Sequence, residues 1–227
     1  MITGSCHEVV ERRLRNWELM RAQKTPPPAT PKHCVQPYVA ISRLVGSGGG
    51  EIARELGGML DWPVFDREIL NVMAEDEHVQ RRLYELTDER NVSFIESLVA
   101  PFRTEAPKAR DDYFHKLVRA VRTIACQSSV IFLGRGAGFI LPNEVGLHVR
   151  IVAPFEPCVA RHAKQTGLAP DDAAKQVRST NEARDGFLRQ RFGLDPTDPC
   201  RYDLLVNTAT FAPRDAARVI VAALHAK

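Results

Sequence analysis

Five residues near the start of the chain, Gly46, Ser47, Gly48, Gly49 and Gly50, have the composition of a loop that holds phosphate. They lie between a β-rich run, YVAIS at 38–42, and an amphipathic run, EIARELGGML at 51–60. Glycine lets backbone N–H groups come close to a ligand, and at a helix N-terminus those groups and the helix dipole both favour an anion. A glycine cluster also suits a flexible turn; the strand–loop–helix setting is what favours phosphate. The loop departs from the usual phosphate-loop pattern, GxxxxGK followed by Ser or Thr. Laid over that pattern, the first glycine falls on Arg43, the second on Gly48, the lysine on Gly49 and the hydroxyl residue on Gly50. Neither the ammonium nor the magnesium-binding hydroxyl is present. Positive charge must come from elsewhere, and Arg43 is the nearest candidate.

Other residues able to grip phosphate follow apolar runs. Asp66 and Arg67 come after PVFD begins at 63, and Arg135 stands between two glycines after SVIFL at 129–133. Arg161, Arg184, Arg189 and Arg191 lie further along. Guanidinium is always charged and can grip phosphate through two N–H groups.

The elements that must position these residues alternate. Strands are expected at 38–42, 63–66, 129–134, 146–153 and 202–208, with mostly helical sequence over 67–127 and helices from 155 to 193 and 213 to 226. Strands alternating with helices predict an α/β domain with a mainly parallel sheet, whose ligands bind at the carboxyl ends of the strands. In the helix at 51–60, Ile52, Leu56, Met59 and Leu60 fall on one helical face. Ahead of this body, Val10, Leu14, Trp17 and Arg21 have helical spacing, and TPPPATPKHCVQP at 25–37 reads as an extended linker. That helix has three possible uses: docking on the body, pairing in a homodimer, or binding another partner.

At 227 residues the chain suits one domain with an insertion and a tail. Residues 1–37 carry six basic side chains against three acidic ones, so of the net +3 the remainder is neutral. That argues against a nucleic-acid partner, which a concentrated basic face would mark. No apolar run reaches the ~20 residues that span a bilayer, and the first residues are too charged for a signal peptide, so no membrane association and a cytoplasmic location are expected. Cys6, Cys34, Cys126, Cys158 and Cys200 lack zinc-pair or CxxC spacing and are expected to be reduced thiols.

The run AISRLVGSGGGEIARELGGMLDWPVFDREIL resembles the cytidylate kinase-like family of nucleoside monophosphate kinases, which typically has ISRxxGSGGREIAxxLAxxLGxPxYDR. VIFLGRGAGFIL, LHVRIVAPFEPCVARH and NEARDGFLRQRFGLDPTDPCRYDLLVNT agree as well, so the resemblance covers 38 to about 220 and leaves out the tail. It implies a P-loop NTPase-like sheet of five parallel strands flanked by helices, a helical monophosphate-binding insertion at 67–127 and an arginine-bearing lid at 155–195. The implied reaction is transfer of the ATP γ-phosphoryl group to a nucleoside monophosphate, most plausibly CMP or dCMP, with Mg2+. Gly46, Ser47, Gly48, Gly49, Gly50, Glu51 and Arg161 would then hold ATP. Arg67 and Arg135 would hold the acceptor phosphate, and Arg43, Arg184, Arg189 and Asp66 would act in transfer. Asp66 is also a candidate for a magnesium-bound water, or simply a helix cap.

Two departures from the family pattern bear on turnover. Gly50 stands where the family has arginine, and Asn181 where the lid commonly has aspartate. These favour an alternative, a catalytically weak nucleotide-binding regulatory protein, whereas Arg43, Arg135 and Arg184 favour the kinase.

Overall fold

The structure, a computed structural model, describes residues 35–85 and 109–227, together with Glu8, Arg12, Arg15, Asn16, Glu18 and Leu19, which are helical. The apolar face expected for the tail helix and the linker over 25–34 lie outside the described residues. The described chain divides into two compact units. One comprises the tail with 65–130 and 140–145; the other comprises 39–64, 131–139 and 146–227.

The strands are β1 (Tyr38–Arg43), β2 (Val64–Asp66), β3 (Val130–Leu133), β4 (Gly146–Val152) and β5 (Leu204–Asn207). They form one five-stranded parallel sheet in the order β2-β3-β1-β4-β5. β4 and β5 pair with Val149 opposite Leu204 and Ile151 opposite Val206. All four residues of β3 are buried, as a strand covered on both faces requires. β5, at the sheet edge, leaves Leu205 46% exposed. The chain leaves β1 toward one side of the sheet and reaches β4 and β5 on the other. The end of β1 is thus the switch point where α/β sheets open a crevice for ligands.

In the second unit, helix α1 (Gly49–Leu60) packs against the closing helix (Pro213–Ala226). Ile52, Ala53 and Leu56 join Val39, Ile41, Val149 and Ile151 in one apolar core with Ala216, Ala217 and Ile220. Burying Ile52 and Leu56 contributes about 1.5–3 kcal/mol each. This layer fixes the direction in which the N-terminus of α1 points. Leu60 packs on the same core, whereas Met59, on the same helical face, is exposed. In that last turn Gly57 is the residue set against Val64, where an added Cβ would stand 3.0 Å from Val64 Cγ2.

In the first unit, α2 (Arg67–Glu75), α3 (Glu77–Glu85) and α4 (Ala109–Gln127) pack on one another. The short helix α5 (Ala137–Ile140) follows β3. The Tyr113 hydroxyl donates to Asn71 Oδ1 at 2.7 Å, and the buried Arg122 donates to the Ile140 carbonyl at 2.7 Å. Cys158 and Cys200 are free thiols, as expected. Cys126 is not: it is disulfide bonded, with its partner outside the described residues. The spacing rule failed there because a disulfide needs proximity in space, and residues far apart in sequence satisfy it.

Candidate functional site

The loop after β1 is held from outside by its carbonyls. Arg184 Nη1 donates to the Arg43 carbonyl at 3.1 Å, and Arg161 Nη1 to the Gly46 carbonyl at 2.8 Å. Thr208 Oγ1 donates to the Ser47 carbonyl at 2.8 Å, and Ser47 Oγ to the Leu44 carbonyl at 2.9 Å. The Gly48 carbonyl accepts from the N–H groups of Glu51 and Ile52, both at 3.0 Å, which starts α1. One loop donor is also fixed, the Val45 N–H, which gives to Asn181 Oδ1 at 2.9 Å. By contrast, the N–H groups of Gly48, Gly49 and Gly50 have no acceptor among the described residues. A loop whose carbonyls are tied outward and whose amides stay open at a helix N-terminus is built for an anion.

The glycines are required by this geometry at two points. Gly46 has φ +73°, and an added Cβ would run into the backbone carbonyl of Cys158. Gly48 has φ +82° and lies against Arg161, whose Nη1 would be 3.2 Å from such a Cβ. Gly50 is different: an added Cβ there meets nothing within 4 Å. Glu51 accepts from Gln165 Nε2 at 3.1 Å, linking the first turn of α1 to helix α6 (Phe155–Thr166).

Helix α6 and helix α7 (Pro170–Phe192) pack together, and they supply the arginines at the loop. Asn181 and Arg184 are three residues apart, so both face the loop from adjacent turns of α7. The amide oxygen of Asn181 makes the hydrogen bond to the loop that a carboxylate oxygen would make, without the charge. Arg43, Arg161 and Arg184 therefore meet at the loop. Arg189 does not join them; it lies 3.6 Å from Asp195, whose carboxyl is held below the usual range by the Thr197 N–H and hydroxyl and by Arg189. The Cys158 thiol is pushed up by burial, against the pull of Arg161, so no thiolate nucleophile forms under the loop.

The turn after β3 is the second feature at a strand end. Gly134, Arg135 and Gly136 all have positive φ, at +94°, +54° and +68°. For arginine this left-handed conformation costs about 1–2 kcal/mol. It sets the guanidinium 5.2 Å from the centre of the Phe187 ring on α7. Behind the turn, Phe139 stacks edge-on against His148 with ring centres 4.5 Å apart, and His148 lies 4.8 Å from Tyr202. Burial lowers the His148 pKa to about 4, Asp203 opposing this and Lys227 and Arg150 reinforcing it. The buried Arg150 donates to the Tyr202 hydroxyl at 3.0 Å, and that hydroxyl donates to the Pro196 carbonyl at 2.9 Å.

Asp66 and Arg67 belong to the first unit. Asp66 Oδ1 accepts from the Ile69 N–H at 3.0 Å and caps α2. Arg67 is paired to Glu68 through Nε at 3.0 Å and Nη2 at 2.7 Å. Among the described residues no group of three His, Cys, Asp or Glu side chains could hold a metal ion. Nor is any described helix long and apolar enough to cross a membrane.

Sequence reasoning missed the supporting contacts of Thr208 and the direct bond from Asn181. Thr208 carries no motif; only its place at the end of the expected fifth strand hinted that it would reach the loop.

A family model described as the cytidylate kinase-like family matches residues 38–210. A cytidylate kinase of Methanopyrus kandleri is 24% identical over 82% of this chain and 92% of its own. One of Thermococcus kodakarensis is 27% identical over 86% of this chain and 90% of its own. The solved structure of an uncharacterized protein from Eubacterium ventriosum shares the fold with a TM-score of 0.69 at 19% identity, over 85% of this chain and 99% of that one. The chain belongs to the cytidylate kinase-like family.

Proposed function

We propose that this member of the cytidylate kinase-like family transfers the γ-phosphoryl group of MgATP to a nucleoside monophosphate, with CMP or dCMP as the acceptor. The observation that carries the reading is the loop after β1. Three amides are open, five carbonyls are tied back, and Arg43, Arg161 and Arg184 meet there. Phosphoryl transfer needs positioning and charge neutralisation far more than covalent help from the protein.

The donor phosphates would be held by the amides of Gly48, Gly49 and Gly50, with Gly46, Ser47 and Glu51 fixing the loop and Arg161 bracing it from below. Magnesium would arrive with ATP. Gly50 offers no hydroxyl to it and Ser47 Oγ is spent on Leu44, so on the protein side only Asp66 is assigned to it, through water. An oxygen of the acceptor phosphate attacks the γ-phosphorus; the bond to the β–γ bridging oxygen breaks, and its electron pair leaves with ADP. Arg184 would pass from the Arg43 carbonyl to the transferring group as the 155–195 lid closes, excluding water. Arg135 and Arg67 would hold the acceptor phosphate, the latter on the 67–127 insertion, and Arg189 would exchange Asp195 for phosphate on closure. The mononucleotide is the partner, and the cytoplasm its compartment.

The test is ADP formation from MgATP across a panel of nucleoside and deoxynucleoside monophosphates. Turnover is expected with CMP or dCMP, falling about 100-fold or more in Arg184→Ala. Tight MgATP binding with no turnover for any acceptor would instead support a regulatory nucleotide-binding protein.

A further inference from the structure

We infer that Arg43 and Gly49 are an exchanged pair: the cation of the phosphate loop has moved from the position of Gly49 to Arg43, and glycine at 49 is what makes room for it. The inference deepens the proposed function and rests on it for the identity of the anion as the ATP phosphates; its steric half does not.

The geometry is specific. Gly49 is the first residue of α1, and its φ is not in the left-handed region, so conformational freedom does not explain a glycine there. Space does. A Cβ on Gly49 would stand 2.8 Å from both Cβ and Cγ of Arg43. Those atoms are the stem of the side chain, next to the backbone of β1, and cannot swing away. At the other end, a Cβ on Gly134 would run into Arg43 Nη1. The Arg43 side chain therefore runs from the base of the loop, across the first turn of α1, to the turn after β3. Its carbonyl is fixed by Arg184 at 3.1 Å.

In the usual pattern the position of Arg43 is glycine and that of Gly49 is lysine. The two arrangements are sterically exclusive in this loop. A lysine at 49 needs a Cβ where the Arg43 stem lies, and an arginine at 43 needs its absence. One substitution alone would be harmful; the two together keep one cation on a side chain that crosses the first turn of α1. Arginine in this place presents a planar donor set to an anion instead of a point charge. The loop is thus rewired, with its charge retained.

The experiment is a two-position cycle in the full chain, read by MgATP affinity, inorganic tripolyphosphate affinity and thermal midpoint. Arg43→Gly is expected to weaken both ligands by about 10- to 100-fold, the range for losing a charge-assisted contact. Arg43→Gly with Gly49→Lys is expected to recover most of that loss. Gly49→Ala is expected to lower the midpoint in the natural chain and raise it when Arg43 is also glycine, because only the first background has the clash. Arg43→Gly leaving both affinities unchanged overturns the inference, as does a folded double variant no better than Arg43→Gly, or Gly49→Ala acting alike in both backgrounds. Arg43-dependent tripolyphosphate binding without turnover upholds the exchange and sinks the kinase reading. A natural chain that binds neither ligand sinks both.

Discussion

The glycine loop after β1 and the Gly134–Arg135–Gly136 turn after β3 lie at the carboxyl ends of neighbouring strands and meet their task in opposite ways. The loop presents backbone amides and takes its charge from Arg43, Arg161 and Arg184, side chains rooted in β1, α6 and α7. The turn carries its own charge, on an arginine held in a conformation that arginine disfavours. A backbone site draws its charge from several elements and has no room for added atoms at Gly46, Gly48 or Gly49. The turn is as tight, since a Cβ on Gly134 or Gly136 would run into Arg43 or Phe192, but its charge rests on one residue.

The sharpest way to break the comparison is to add one methyl group to the loop. Gly46→Ala combines an unfavourable φ with a clash against the Cys158 carbonyl, and should destabilise by about 3 kcal/mol or more. In a chain of this size that lowers the thermal midpoint by roughly 10 °C. A midpoint within a degree or two of the natural chain would mean the loop is looser than described.

Acid should weaken the fold through the histidine behind the turn. His148, packed behind the turn, has its pKa lowered from 6.5 to about 4. Between those values the unfolded chain holds the extra proton and the folded chain does not. This contribution to stability is therefore complete above pH 6.5 and is lost as pH falls toward 4, by about 3 kcal/mol. The fall in midpoint over that window should flatten in His148→Gln.

Arg135→Gly should separate the two roles of that residue. Glycine relieves the left-handed strain, so stability should stay within about 1 kcal/mol of the natural chain or rise. The KM for the nucleoside monophosphate should rise tenfold or more, about 1.4 kcal/mol of lost acceptor binding, with the KM for ATP little changed. The smallest effect expected is a gain. A Cβ at Gly50 meets nothing within 4 Å, and Gly50→Arg replaces a helix glycine, so it should raise stability by up to about 1 kcal/mol and MgATP affinity a few-fold.

Most of the fold was legible because it rests on periodicity. β3 is an unbroken apolar run, and its four residues are all buried; the closing helix begins at Pro213, where proline suits a first turn. The glycine loop was legible from its place between strand and helix. What the sequence could not carry was contact between distant residues. Nothing near Asn181 marks it as the acceptor for Val45, 136 positions away, and although Arg43 stood out as the nearest source of charge, only three-dimensional packing relates it to the glycine at 49. Cys126 escaped for the same reason.

The central claim, that this loop and its arginines pass a phosphoryl group to another nucleotide, is tested most directly by following the label from γ-labelled ATP in the presence of magnesium and CMP or dCMP. Label is expected in the nucleoside diphosphate, with little in inorganic phosphate and almost none transferred by Arg184→Ala. Label that stays in ATP, or appears only as inorganic phosphate, would contradict it.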